Sequence, residues 1–121
     1  MTNFVNKCVM ASLLTFTSLL SFNAVASGNI DSGKALMKKY NCAACHGEDY
    51  NSPLDSSYPK LAGQHADYLK HALLTYKRGG AAVNGRSNAI MGAQVKPLSD
   101  KDIADISAYL GSLKGSLVVR K

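Results

Sequence analysis

Past its first two dozen residues, this 121-residue sequence has only two cysteines, Cys42 and Cys45. They stand three positions apart, so a disulfide between them would close a loop too small to add much stability. A tetrahedral zinc site would need a second pair of ligands at similar spacing, and no further cysteine follows. Long apolar runs are as scarce. The one candidate, Cys8 to Leu20, falls short of the roughly 20 residues that cross a bilayer. No segment alternates like a strand, so a β fold is not expected. Neither an internal repeat nor a low-complexity tract is present, which excludes solenoids and biased linkers. No stripe of basic and aromatic residues is present, which argues against nucleic-acid binding in an exported chain.

What is present begins with an export signal. Lys7 supplies a positive charge, Cys8–Leu20 the apolar segment, and Ala24-Val25-Ala26 the small-x-small cleavage pattern. Residues 1–26 are therefore expected to be a cleaved leader and residues 27–121 one exported domain, beginning at Ser27 and located in the periplasm. Cys8 leaves with the leader. The full chain carries a formal net charge of +6. Its basic residues are dispersed, which suits solubility and also steering toward acidic protein partners.

Periodicity predicts an all-α domain. Asn29 or Asp31 can cap a first helix reaching about Tyr40, with Leu36, Met37 and Tyr40 on one side. A polar stretch from Gly47 to Pro59 reads as an extended loop. A second helix is expected from about Gln64 to Arg78, stopped by Gly79-Gly80. Residues 79–97 show no period and are expected to form a long irregular loop that needs something to order it. Ser99 and Asp102 form a capping box, with Leu98 and Ile103 as its hydrophobic staple. Ile103, Ile106, Tyr109, Leu110 and Leu113 then continue a last helix.

Between the first helix and the polar loop lies Cys42-Ala43-Ala44-Cys45-His46, a C-x-x-C-H run. This is the attachment signature of c-type haem. Positions i, i+3 and i+4 share one helical face, so Cys42 and Cys45 can each form a thioether with a haem vinyl group while His46 turns toward the iron. A thioredoxin-like pair would be expected beside a β-α-β pattern, which the sequence lacks. One covalently attached haem c is the expected cofactor. The candidate sixth ligand is Met91, far enough along the chain for the loop to wrap around the haem and return. Met37 reads as a core residue, and His65 and His71 as surface residues.

With these residues in place the chain resembles the class I c-type cytochromes. In pattern it is nearest the small bacterial c553 type and one half of the dihaem c4 type. The resemblance rests on Gly33-x-x-x-Met37, Cys42–Gly47, Tyr58-Pro59-Lys60-Leu61-Ala62-Gly63-Gln64, Tyr76–Gly79, Met91, and Leu98-Ser99-Asp100 leading to Tyr109-Leu110. It implies a cytochrome c fold of about three to four helices around one haem. It also implies His46 and Met91 as axial ligands, the Pro59 carbonyl on the far nitrogen of His46, and Leu61 against the haem face. Gly33 would let the first and last helices cross closely. Arg78 and Arg86 are candidates for the haem propionates. The implied activity is one-electron carriage between redox proteins, not catalysis. The alternatives are a haem subunit of a larger oxidoreductase and a gas-binding or peroxidatic protein with a labile sixth ligand.

Overall fold

The computed structural model describes residues 28–116. The expected leader and its cleavage point lie outside the described residues. Of the two candidate caps, Asn29 is the one used. Its backbone is extended and its side chain accepts the Ser32 N–H at 2.8 Å, starting α1 at Ile30–Lys39. Asp31 in the first turn and Lys38 and Lys39 in the last complement the helix dipole. Asn41 (φ 50°) then turns the chain in the left-handed region, and one short helix follows, α2 at Ala43–His46.

α3 covers Ala66–Arg78. It starts later than Gln64, and His65 sits at its N-cap position instead of inside the first turn. Gly79 (φ 77°) ends it in a conformation that suits glycine. The expectation of an irregular loop throughout 79–97 is corrected by α4, Ala89–Val95. Asn88 caps it by accepting the Met91 N–H at 2.9 Å. The helix is short, mostly exposed and interrupted by Gly92, so periodicity did not reveal it. α5 spans Asp100–Ser112, and both bonds of its capping box form between Ser99 and Asp102. Five helical segments thus replace the three to four expected, and no strand occurs among the described residues.

The core is the crossing of α1 with α5, with α3 packed on α5 and α4 on α3. Ile103, Ile106 and Leu110 are buried on α5 together with Met37, Leu69, Val95 and Leu98. Each such side chain contributes about 2 kcal/mol through the apolar surface it removes from water. The crossing is close because Gly33 has no side chain. A Cβ there would overlap the Asp105 carbonyl and press on the Tyr109 Cβ. Asp105, itself buried, accepts the Asn29 N–H at 2.8 Å and pairs with Lys101, tying the start of α1 to α5.

Candidate functional site

Met37 and Cys42 are joined directly: the Cys42 N–H donates to the Met37 carbonyl at 3.1 Å, and the His46 N–H to Cys42 at 3.1 Å. α2 is therefore an extension of α1 and inherits its position against α5. Cys42 and Cys45 are half-buried free thiols. Burial pushes the Cys42 thiol above its usual value, only partly offset by a backbone hydrogen bond. A redox dithiol needs the opposite, a depressed thiol.

His46 is buried, and its Nδ1 lies 3.0 Å from the Pro59 carbonyl oxygen. A carbonyl can only accept, so Nδ1 carries a proton, and in the neutral ring Nε2 is the nitrogen left with a lone pair. The loop that brings Pro59 back is fixed from both ends. The Leu54 N–H donates to the Cys45 carbonyl, and those of Leu61 and Ala62 donate to the Tyr50 carbonyl. Asp49 organises the intervening turn, accepting from the Asn51 and Ser52 N–H groups, and these bonds hold its carboxyl below the usual range.

These residues open onto a cavity of about 360 Å³. Cys42, Cys45, His46, Pro59 and Leu61 line it on one side of the sequence, and Met91, Val95 and Leu98 on the other. Leu69 and Leu73 from α3, and Ile106 and Leu110 from α5, complete its apolar wall. Met91 is the third residue of α4 and half-buried. Met37 is buried and lines this cavity and also a second one of about 330 Å³ beside Lys34 and Tyr109. His65 and His71 are exposed and line neither. Arg78 is exposed away from the cavity, whereas Arg86 lines it. Arg86 stands over the rings of Tyr68 and Tyr76, contacts the sequence could not show. No cluster of three or more His, Cys, Asp or Glu side chains able to hold a bare metal ion exists among the described residues. A large apolar cavity bordered by two thiols and a tautomer-fixed imidazole fits a flat organic group that carries its own metal.

Residues 30–114 match the cytochrome c family. This chain is a cytochrome c family protein. Its cofactor is the family's covalently bound haem c, and the donor set around the cavity fits that group. The chain is 41% identical over 117 residues to the cytochrome c4 of Stutzerimonas stutzeri, covering 93% of this chain and 53% of that protein. It is 33% identical over 94 residues to the cytochrome c-554(547) of Halothiobacillus neapolitanus, covering 73% of this chain and all of that one. Among solved structures it is similar to reduced recombinant cytochrome c4 from Pseudomonas stutzeri. That match has a TM-score of 0.64 and 38% identity, covering 74% of this chain and 48% of the other. This cytochrome thus spans about half the length of the cytochrome c4 relatives it matches. No helix among the described residues is long and apolar enough to cross a membrane.

Proposed function

We propose that this chain is an exported one-electron carrier, with residues 1–26 as its leader and 27–121 as a periplasmic haem domain. Cys42 and Cys45 would hold the haem through thioethers, and His46 and Met91 would be its axial ligands. The bound haem supplies an iron that alternates between two oxidation states. The protein's contribution is to keep the ligand cage unchanged between them. Pro59 holds the His46 ring in one tautomer. Asn88 holds the backbone of Met91, and the apolar wall keeps water from the cavity.

The observation that carries this reading is the placement of Met91. Met37 and Met91 both reach the cavity, but Met37 is bonded through its carbonyl to Cys42, on the attachment side itself. Met91 comes from a separate helix, α4, on the far side of α3 in the chain. With both axial positions filled, no site is left for a substrate, which favours carriage over catalysis. Dispersed basic charge favours redox partners with acidic docking surfaces, whose binding should weaken as salt rises.

The electronic spectrum of the oxidised holoprotein tests the ligation. A weak far-red sulfur-to-iron band is expected. High-spin iron without that band, together with rapid carbon monoxide binding after reduction, would overturn it in favour of an open-site haem protein.

A further inference from the structure

The connection from α3 to α4 holds Met91 to the domain from its N-terminal side. From Gly79 to Asn88 no residue is buried, and Val83 is 87% exposed. The segment therefore has no apolar anchor of its own. Its attachments converge on Arg86. The Arg86 N–H donates to the Thr75 carbonyl at 3.0 Å. That carbonyl is among the last four of α3, which lack a partner within the helix. Thr75 itself is buried, so the bond reaches into a fixed part of the fold. The Arg86 guanidinium lies 5.8 Å from the ring centroid of Tyr68 and 5.4 Å from that of Tyr76, both on α3. It belongs to neither ion pair found among the described residues. Two positions later, Asn88 caps α4 on the N–H of Met91 itself.

We infer that Arg86 is a positioning residue for Met91. Its contacts with Thr75, Tyr68 and Tyr76 form a latch that keeps the α4 segment closed on the cavity. The inference rests on Met91 being an axial ligand, as proposed above. Two face contacts of a cation with tyrosine rings are worth about one tenfold factor in an opening equilibrium, or about 1.4 kcal/mol. A closed latch presents Met91 continuously, whereas an open one releases it without unfolding α1, α3 or α5.

The test uses holoprotein in five forms: wild type, Arg86→Met, Arg86→Lys, the double variant Tyr68→Leu/Tyr76→Leu, and the triple variant that joins Arg86→Met to that pair. Two quantities are read on each: the rate of carbon monoxide binding to the reduced protein, and hydrogen exchange of the backbone amide at position 86. Arg86→Met and the tyrosine double variant should each raise both rates about tenfold. Combining them should add little, and Arg86→Lys should fall between wild type and Arg86→Met. A shifted reduction potential with both rates unchanged would overturn the latch and leave Arg86 acting only through its charge. So would an effect of Arg86→Met that the tyrosine variant fails to reproduce. If wild type lacks the far-red band, it is the axial assignment that fails, and amide exchange still decides whether the latch exists.

Discussion

The crossing of α1 with α5 and the segment from Gly79 to Val95 hold backbone in place by opposite means. At the crossing, Gly28 and Gly33 let one main chain lie against the other, where any Cβ would overlap Ala104 or Asp105. Around that contact Met37, Ile103, Ile106 and Leu110 are buried, and Asp105 binds the start of α1 directly. In the second segment only Val95 is buried. Besides Val95, which sits in the core cluster with Met91 packed against it, what holds it is a side-chain cap at Asn88, one backbone bond to Thr75, and a cation set over two tyrosines. The side bearing Cys42, Cys45 and His46 is thus tied to that crossing, through the bond from Cys42 back to Met37 on α1. The side bearing Met91 depends on a few polar contacts and on what fills the cavity. Local opening is expected where buried apolar contacts are few, which makes Met91 the easier of the two proposed ligands to lose.

The largest effect is expected at Gly33. Gly33→Val would drive a branched side chain into the Asp105 carbonyl, and neither main chain can yield without separating the helices. A loss of about 3 kcal/mol is expected, read as a lower urea midpoint at unchanged slope. Below the transition the far-red band should persist, since nothing near Met91 has moved. A midpoint equal to wild type would show that the crossing is looser than the geometry indicates.

A smaller effect with a pH signature is expected at Asp105. Burial alone would push its carboxyl up, but the Lys101 ammonium and the Asn29 N–H outweigh burial and hold it below the ordinary range. A carboxyl depressed in the folded state stabilises the protein above its unfolded value of about 4, and that contribution is lost as pH falls through the folded value. Asp105→Ala should therefore cost about 2 kcal/mol at pH 7. The gap to wild type should narrow steadily as the pH is taken below 4 in denaturant titrations. A gap that stays constant, or widens in acid, would contradict the assigned role.

How much of this was legible in the sequence follows the same division. Where structure is decided within a few residues, the pattern of residues carried it. Ser99 announces its helix, Asn29 and Asp31 mark the start of the first without choosing between them, and the buried positions of α5 repeat at helical spacing. The C-x-x-C-H run is legible because attachment chemistry demands that spacing. α4 was not legible, because seven residues with Gly92 in the middle show no periodic face. Its one signal was Asn88, a good cap three residues before Met91. Nor could spacing separate Arg78 from Arg86 as cavity residues. That choice depends on where Gly79 turns the chain and on the gap between Tyr68 and Tyr76, both products of tertiary structure. The second cavity, floored by Met37, was invisible for the same reason.

The two regions differ most finely at their helix caps. Ser99 and Asn88 do the same local work, each accepting a backbone N–H in the first turn of its helix. Replacing either by alanine removes about 1 kcal/mol from that turn. On α5 the helix is part of the cooperative core, so Ser99→Ala should lower global stability by about that amount and leave the far-red band unchanged. On α4 the bond lost is the one on the Met91 N–H, in a segment that can open by itself. Asn88→Ala should therefore leave the urea midpoint nearly unchanged while carbon monoxide binding to the reduced holoprotein accelerates about fivefold. If both variants lowered the midpoint equally and neither altered carbon monoxide binding, α4 would belong to the cooperative core. The two regions would then differ in composition but not in how firmly they are held.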